Sequence, residues 1–411
     1  KKHQLSDVVL DAVLNKADAH QCTPFFRAVH ENHLDVVRVC LNNPHIDVNA
    51  PDRNGHSPFF RACAQQNFQM IKLLINSPRI DVNQADKQGA SPFFHACVQS
   101  RLTLVDFLLE LSDVNTQQHA SSSTSTDTPQ LCNVVDVNQP KSDEATVFYE
   151  GCKRNLLFFV TTCMQDSRFQ LNRPSKMQRT PFAIACVKNN IEVALRLLDD
   201  ERIDVNAVDR FGKSGIMLAT EYEHTSLVEM LLQHDIEHRI DINLPERDGV
   251  TPFHIACING SEALVRIFLK HPGVDLTAPN KDGNTPFYSA CALGHDETVE
   301  ILMNDPRIDI DTPERLGKTP FMIAHSLGYF NIIKLLRVCY HCRKSSPTLK
   351  QCSVCQSVFF CDRDCQRKSW NNHKVAHNPQ QKTTAKTKPN EKCPCQSGKK
   401  YKHCCARRKI K

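Results

Sequence analysis

The sequence predicts a mostly α-helical solenoid of about nine helix–turn–helix units, followed by small cysteine-rich modules. Two observations predict this fold class. A Thr or Ser, usually followed by Pro and Phe, recurs nine times along the chain. Six of the eight intervals between successive occurrences are 34 residues long, and the other two are 55 and 37. Apolar residues follow at helical spacing in each unit, and a fixed period of this length is typical of stacked repeats. The nine starts are Thr23, Ser57, Ser91, Thr146, Thr180, Ser214, Thr251, Thr285 and Thr319.

The repeat that begins at Ser57 shows how one unit is built. Ser57 is a good N-cap, and Pro58 stands at the first helical position, where its missing N–H is no loss. The apolar side of this first helix consists of Phe59, Ala62 and Cys63. We expect a second helix over 67–76, because its apolar residues are spaced like one buried stripe. The members of that stripe are Phe68, Ile71, Leu74 and Ile75.

A glycine stands two residues before six of the nine starts, at Gly55, Gly89, Gly212, Gly249, Gly283 and Gly317. The turn there is predicted to need a positive φ, which glycine adopts without strain. Neither helix of a unit can bury its apolar stripe alone, so neighbouring units must stack on each other.

Residues 23–337 resemble the ankyrin repeat family, whose repeat of about 33 residues opens with T-P-L-H-x-A. Pro follows the start in seven repeats, while Val147 and Gly215 replace it in the other two. The histidine of the family pattern occurs here only as His254. The resemblance implies ankyrin repeats over 21–338 that bind a protein partner along their concave face.

Two segments precede or interrupt the regular repeats. Residues 1–20 contain an amphipathic stretch, and we expect them to form a partial N-terminal repeat that caps the first full one. The spacing of 55 residues places an insertion after a helix that is predicted to end near Leu111. The centre of the insertion is rich in Ser and Thr and has too little apolar surface to fold. We therefore predict a disordered insertion at about 113–135.

The 20 cysteines fall into two groups. Ten precede residue 338, and six of these share one repeat position, namely Cys63, Cys97, Cys152, Cys186, Cys257 and Cys291. Equivalent positions on packed helices lie about 8–10 Å apart, which is too far for a disulfide, so we expect reduced core residues. The other ten are crowded into 339–405 at close spacings. Reduced thiols and metal-like pairs indicate an intracellular protein, in the cytoplasm or the nucleus.

The net charge of +6 conceals an asymmetry along the chain. Residues 337–411 carry +16 and residues 1–336 carry −10, so an acidic solenoid precedes a basic tail. The longest apolar runs are too short to span a bilayer, and we expect no membrane insertion. No phosphate-binding loop, G-x-S-x-G or H-E-x-x-H motif occurs, and we expect no enzymatic activity.

Close pairs of cysteine and histidine begin directly after the last predicted helix, with the spacing C-x2-C-x9-C-x2-C-x5-C-x3-C-x7-H-x3-H. Eight nitrogen and sulfur donors in four pairs fit two closed tetrahedral zinc sites. A segment of about 40 residues needs such metal staples because its apolar core is small. The eight predicted ligands are Cys339, Cys342, Cys352, Cys355, Cys361, Cys365, His373 and His377.

Residues 339–377 resemble a MYND-type zinc finger, in which the ligand pairs interleave. The resemblance implies one zinc bound by Cys339, Cys342, Cys361 and Cys365. It implies a second zinc bound by Cys352, Cys355, His373 and His377. The order of the ligands differs from that of a RING finger, so a ubiquitin ligase is not supported.

The MYND resemblance also implies a surface for Pro-x-Leu-x-Pro-like peptides. Its residues here are Ser353, Gln366 and Trp370, and Trp370 is the only tryptophan of the chain. The indole of Trp370 either packs on a proline ring of the peptide or covers the second zinc site.

Residues 378–391 form a polar, Lys-rich linker without an apolar period. The next segment, 392–406, resembles the SEC-C motif found at the tail of the bacterial preprotein translocase ATPase. The resemblance implies one further zinc bound by Cys393, Cys395, Cys404 and Cys405. Four soft ligands so close together favour zinc independently of the resemblance.

The sequence therefore predicts a monomeric, non-enzymatic, zinc-binding adaptor for protein–protein interactions. The first alternative is a nucleic-acid-associated, transcription-related factor, because the basic tail can contact phosphates. Aromatic residues interleaved with the cations, as single-strand readers have them, are sparse there. A lysine methyltransferase, suggested by MYND fingers that accompany SET domains, is not supported because no SET domain fits the chain.

Overall fold

The structure is a computed structural model that describes residues 12–120, 134–235, 239–336, 350–351 and 359–360. Each repeat contributes two helices, and we number the repeats 1 to 9 in chain order. The first helices are α1 Pro24–His30, α3 Pro58–Ala64, α5 Pro92–Val98, α7 Val147–Lys153, α9 Pro181–Val187, α11 Gly215–Glu221, α13 Pro252–Asn259, α15 Pro286–Leu293 and α17 Pro320–Leu327.

The second helices are α2 Leu34–Leu41, α4 Phe68–Ile75, α6 Leu102–Ala120, α8 Leu157–Gln165, α10 Ile191–Leu198, α12 Thr225–His234, α14 Glu262–Lys270, α16 Asp296–Met303 and α18 Phe330–Leu335. Two short strands, β1 (Lys350–Gln351) and β2 (Phe359–Phe360), follow later in the chain and pair antiparallel. The described residues are thus mostly α-helical, as the sequence predicts.

The chain divides into two blocks. The N-terminal block comprises Lys1–Ala219 and Met230–Ile240, and the C-terminal block comprises Thr220–Glu229 and Asp241–Lys411. In the N-terminal block, successive first helices pack on one another from α1 to α9, and each second helix packs on its own first helix. The C-terminal block shows the same packing from α13 to α17. The predicted stacking of neighbouring repeats is therefore present within each block.

The Thr or Ser that opens a repeat caps its first helix. In eight repeats the side-chain oxygen accepts the backbone N–H three residues later at 3.1–3.3 Å. Such a cap typically stabilises a helix by about 1 kcal/mol. Repeat 6 differs, because the buried hydroxyl of Ser214 has no hydrogen-bond partner among the described residues. Gly215 stands where Pro is usual, and a Cβ atom there would lie only 2.7 Å from the Phe182 ring.

The residue two places before the start has a positive φ in every repeat. The prediction for the six glycines is confirmed, since their φ angles lie between 80° and 88°. Repeats 1, 4 and 5 place Gln21, Glu144 and Gln178 there, with φ angles of 62°, 63° and 58°. Each turn is held against its neighbour by a backbone bond such as that from Lys281 N–H to Asp248 O, at 2.9 Å. Stacking therefore enforces the turn even where glycine is absent.

The buried stripe of α4 differs from the prediction in one residue. Ile71, Leu74 and Ile75 are buried, and Met70 joins them with no exposed surface. Phe68, which the spacing assigned to the stripe, is 38% exposed, so that prediction is wrong. Its ring packs edge-on against Phe107 of the next repeat, with ring centroids 5.0 Å apart, and its other side faces solvent.

An asparagine in the loop after most second helices bridges neighbouring repeats. Nδ2 of Asn49 donates to the Arg79 carbonyl at 2.7 Å, and Oδ1 accepts the N–H of Asp81 at 2.8 Å. The same pair of bonds is made by Asn15, Asn83, Asn138, Asn172 and Asn243. Because Asn15 precedes repeat 1, the chain before Thr23 already carries the loop contact of a repeat.

An arginine next to this loop reaches back to the second helix of the preceding repeat. Nη1 of Arg79 donates to the carbonyls of Leu41 and Asn43, at 3.1 and 2.7 Å, and Nη2 donates to two further carbonyls of that loop. Arg202, Arg239 and Arg307 make equivalent bonds to the ends of α8, α10 and α14. A cation at a helix C-terminus satisfies carbonyls that have no partner within the helix.

Helix α6 is longer than the sequence predicted. It continues through Ala120, so 113–120 are helical where disorder was expected. Residues 112–120 contain neither Pro nor Gly, and nothing in them forces a helix to end. At the other side of the insertion, Val135 is buried and the Val134 carbonyl accepts from Asn83 at 2.8 Å. The rest of the predicted insertion, 121–133, lies outside the described residues.

Candidate functional site

The strands β1 and β2 are the described part of the segment that carries the predicted metal ligands. Lys350 pairs with Phe360 and Gln351 pairs with Phe359, so the connection 352–358 carries Cys352 and Cys355. The predicted ligands at 339–377 and at 393–405 all lie outside the described residues, as do Ser353, Gln366 and Trp370. The donor set itself fits zinc, because thiolate and imidazole in close pairs are the ligands of structural zinc sites.

The cysteines of the repeats belong to the core. Among the described residues, Cys63, Cys97, Cys152, Cys186, Cys257 and Cys291 are free thiols and buried, as predicted. Burial raises the pKa of each of these thiols, so they stay protonated and unreactive. The described part of the chain contains no group of three or more His, Cys, Asp or Glu side chains that could hold a metal ion.

A row of polar side chains occupies the fifth position of the first four repeats. Arg27 pairs with Asp18 at 2.6 Å, and His95 lies 3.1 Å from Asp86, so a basic side chain on the first helix faces a carboxylate nine residues earlier. Repeat 4 reverses this polarity, with Lys141 in the turn and Glu150 on the helix, 2.9 Å apart. The nine-residue spacing of opposite charges is a signal that the sequence analysis missed.

Glu150 is the centre of a buried charge cluster. Its side chain is 1% exposed and accepts from Lys141 and Lys153, both at 2.9 Å, and from Arg154 at 3.2 Å. Burial raises the pKa of Glu150, but the hydrogen bonds from Lys153 and Lys141 outweigh burial and lower the pKa to about 2. The carboxylate therefore stays ionised and ties the turn of repeat 4 to α7. This cluster stands in the repeat that lacks both the usual Pro and the turn glycine.

Repeats 2 and 3 present aromatic and basic groups side by side. The imidazole of His56 stacks on Phe60 with ring centroids 4.2 Å apart, and His95 packs edge-on against the same ring at 4.7 Å. Nη2 of Arg61 lies 2.6 Å from Nε2 of His30, while the buried Nε of Arg61 has no hydrogen-bond partner in the part of the chain that the structure describes. Phe60 itself is buried, so the half-buried side chains of His56, Arg61 and His95 are the part of this group that a partner can contact, and they suit its carboxylate or aromatic side chains.

His254, the one histidine of the family pattern, is part of the core. Its backbone N–H donates to the Thr251 hydroxyl at 3.2 Å, and its ring nitrogen Nε2 lies 2.7 Å from the hydroxyl of Ser289 in the next repeat. Burial lowers the pKa of His254 to about 4, so its ring is neutral at pH 7. This side chain links two repeats and has no exposed surface for a ligand.

A groove of about 520 Å³ lies between the turns of repeats 8 and 9. Thr277 stands where Asn243 does one repeat earlier, and its hydroxyl donates to Asp275 of its own loop at 2.9 Å, whereas Asn243 bridges to the loop of the next repeat. The groove is lined by side chains of both positive and negative charge, namely Lys281, Glu314 and Arg315.

None of the helices in the described ranges is long and apolar enough to cross a membrane.

The capped helix pairs, their stacking and the bridges between them define a helical repeat protein. A family model described as "Ankyrin repeats (3 copies)" matches residues 25–118, 149–243, 201–280 and 273–348, which together exceed half of the chain. The chain belongs to the ankyrin repeat family. The MYND finger model matches residues 339–377, and the SEC-C motif model matches residues 390–407.

Two curated proteins are similar to short parts of the chain. The protein translocase subunit SecA of Lachnoclostridium phytofermentans is 61% identical over 31 residues, which are 8% of this chain and 4% of that protein. The putative ankyrin repeat protein YahD of Escherichia coli is 38% identical over 66 residues, 16% of this chain and 31% of YahD. The chain thus covers less than a third of the length of either relative.

Among solved structures, the ankyrin repeat protein EF0377 is 25% identical, with a TM-score of 0.42 over 46% of this chain and 94% of that chain. The ankyrin repeat domain of Bcl-3, titled a unique member of the IkappaB protein family, is 19% identical. Its TM-score is 0.47, and the match covers 57% of this chain and 94% of that domain. MYND and SEC-C are zinc-binding families, and ankyrin repeats and MYND fingers are typically non-catalytic. The family matches support a zinc-binding adaptor for protein–protein interactions.

Proposed function

We propose that the chain is a non-enzymatic intracellular adaptor whose repeats and zinc finger each bind a protein partner. The observation that carries the proposal is the ordered stack of bridged repeats in the N-terminal block, which holds Arg27, Arg61 and His95 at one repeat position. A rigid row of side chains at fixed spacing is what an extended binding surface needs. The reduced thiols of the described repeats support an intracellular location.

The proposed domain boundaries are those predicted from the sequence. Residues 1–20 form a partial repeat, 21–338 the ankyrin repeats, 339–377 the MYND finger, 378–391 a linker and 392–406 the SEC-C motif. The finger holds two zinc ions through its eight ligands, and the SEC-C motif holds one through its four cysteines. Zinc in such closed sites supplies folding free energy and no open coordination position for catalysis.

The finger is proposed to bind a Pro-x-Leu-x-Pro-like peptide through Ser353, Gln366 and Trp370. An indole offers a large apolar face for a proline ring at low entropic cost, which favours Trp370 as the main contact. If Trp370 instead covers the second zinc site, replacing it should lower the zinc content of the protein.

A peptide titration of the zinc-loaded full chain tests the proposal. Fluorescence anisotropy of a labelled Pro-x-Leu-x-Pro peptide should rise on binding, and a peptide with both prolines replaced by alanine should bind much more weakly. The variant Trp370→Ala should abolish binding while the zinc content stays at the wild-type value. Equal binding of both peptides would refute the peptide site, and loss of zinc with Trp370→Ala would show that the indole covers the metal.

A nucleic-acid-associated role is the second candidate, favoured by the +16 charge of residues 337–411. Binding through lysine and arginine releases counterions, so the affinity for a polynucleotide would fall steeply with salt. Strong, salt-dependent binding of a single-stranded oligonucleotide, together with no peptide binding, would favour this role over the adaptor.

A further inference from the structure

A second row of positive φ angles runs along the repeats at the tenth position, where each first helix ends. The first six repeats place a residue with a side chain there, and the last three place Gly260, Gly294 and Gly328, with φ angles of 68°, 80° and 77°. The residues of the first six repeats are Asn32, Gln66, Ser100, Asn155, Asn189 and Glu223. Since side chains are tolerated at this φ, the three glycines need another explanation.

The explanation lies in the next repeat. A Cβ atom at Gly260 would lie 2.4 Å from Nδ1 of His295, and one at Gly294 would lie 2.8 Å from Cε1 of Tyr329. Each of these glycines is therefore the floor of a socket that receives a ring from the residue just before the following second helix. The ring of His295 is fixed there by a contact of 2.6 Å between Nε2 and the Ile258 carbonyl.

Repeat 9 has the socket without the ring. Gly328 has the same φ, and no atom of the described residues lies within 4 Å of a Cβ built there. The side chains beside it are open to solvent, with Leu327 51% exposed and Phe330 81% exposed. The end of the repeats is thus apolar at Gly328, while Ile332, Ile333 and Leu336 of the same repeat are buried.

We infer that this socket, formed by Leu327, Gly328 and Phe330, is the docking site of the zinc finger 339–377, which places an aromatic or imidazole ring on Gly328. The length of chain supports this occupant, because Cys339 is only three Cα steps of about 3.8 Å beyond Leu336. Terminal repeats need a cover for their open end, and the finger is the next folded segment. The finger also holds rings of the required kind in Tyr340, His341 and Trp370.

Charge supports the same occupant. The finger contains seven Lys or Arg and two Asp or Glu. Repeat 9 contains no Asp or Glu, but repeat 8, on which it packs, contains seven Asp or Glu and three Lys or Arg over 285–318. Because charges are screened beyond about 8–10 Å at ordinary ionic strength, the acidic side chains of repeat 8 are the ones that attract a basic finger docked on repeat 9. Docking fixes the finger to repeat 9, so that the peptide surface is held at a constant position on the last repeat.

Trp370 provides the readout, because it is the only tryptophan and lies within the finger. In the zinc-loaded full chain, time-resolved anisotropy of its fluorescence should show the slow rotation of the folded repeats on which the finger is docked, and not the fast rotation of a free finger. The double variant Leu327→Gln/Phe330→Gln should shorten that rotation severalfold at unchanged zinc content. The matched control is Leu293→Gln, which changes a residue of equal exposure, 49%, at the same position one repeat earlier and should have no effect.

Two further measurements keep the inference testable if the double variant folds poorly. The single variant Gly328→Gln fills the socket with a residue that the same position holds in repeat 2, where Gln66 has a φ of 54°, and it should also free the finger. In the wild type, a zinc chelator should accelerate amide exchange across 319–336 but leave 57–90 unchanged. Fast rotation of Trp370 in the wild type, or unchanged rotation in the variants, would overturn the inference. A loss of peptide binding without a change in rotation would contradict only the proposed function.

Discussion

At the scale of single residues, His254 makes the stability of repeat 7 depend on pH. Burial lowers its pKa from the ordinary 6.5 to about 4, so the folded protein resists protonation that the unfolded chain accepts. Above pH 6.5 the ring is neutral in both states, and its burial carries no protonation cost. As the pH falls from 6.5 to 4, the free energy of unfolding should decrease by up to about 3 kcal/mol through this residue.

Urea denaturation of wild type and His254→Phe between pH 7 and pH 4 measures this effect. Phenylalanine is the residue found at the same position in repeats 1 to 3, and it removes the titrating group. The difference in unfolding free energy between the two proteins should shift in favour of the variant as the pH falls. A difference that stays constant over this range would contradict the assigned protonation.

A second residue-scale prediction concerns the turn before repeat 5. Gln178 adopts a φ of 58°, and a side chain in this region costs about 1–2 kcal/mol. Gln178→Gly should therefore stabilise the protein by up to about 1 kcal/mol, since the entropy of glycine offsets part of the gain. Gln178→Ala is the matched control, because it removes the same polar group but keeps the Cβ atom. Equal thermal unfolding midpoints of the two variants would show that the strain is absent.

At the scale of elements, the arginine bridge between repeats 1 and 2 should contribute more than an ordinary surface cation. Arg79 donates to four carbonyls at the end of α2 and in its loop, and removing it takes away these hydrogen bonds. Among the described residues, only the Asn43 carbonyl of these four keeps a backbone partner, the N–H of Ile46. Arg79→Met should lower the free energy of unfolding by about 1–3 kcal/mol. Arg38→Met is the control, because Arg38 is exposed on α2 itself. Similar urea midpoints for both variants would disprove the role of the bridge.

The charge cluster of repeat 4 predicts different losses of stability when Glu150 and Lys153 are replaced. Glu150 is buried and has three cationic partners, whereas the side chain of Lys153 is 35% exposed and can turn to water. Glu150→Gln should therefore cost about 1–3 kcal/mol, and Lys153→Gln less than about 1 kcal/mol. Urea denaturation at pH 7 compares the two. A larger loss for Lys153→Gln would show that Glu150 is not the centre of the cluster.

Much of the repeat architecture could be predicted from the sequence, because it depends on local rules. Helix starts follow from a capping hydroxyl and a proline, and the turn conformation follows from glycine. The exposure of Phe68 and the ring contact at Gly294 could not be predicted, because they are set by the neighbouring repeat and not by the residue's own helix. The sequence analysis predicted that α6 ends near Leu111, because the low apolar content of the following residues indicated disorder. The helix continues to Ala120, and residues 112–120 contain no helix-breaking residue.

At the scale of the whole molecule, the chain combines structure that is fixed by packing with modules that are expected to be fixed by metal. The repeats bury continuous apolar stripes and need no ligand to do so. The segment after Leu336 has few apolar residues and many donors, so its predicted sites rest on the spacing of Cys and His and on the family matches. This difference predicts that metal removal unfolds the segment after Leu336 and leaves the repeats folded, with faster amide exchange confined to repeat 9.

Native mass spectrometry should find three zinc ions in the wild type. Cys361→Ser should reduce this number to one, because both finger sites depend on the same small fold and are lost together. Cys404→Ser should leave two zinc ions, since it affects only the SEC-C motif. Far-UV circular dichroism should retain the helical signal of the repeats in both variants, because each repeat is stabilised chiefly by its neighbours. Loss of most helical signal in Cys361→Ser would show that the repeats depend on the finger to fold, and one zinc or none in the wild type would refute the assigned ligands.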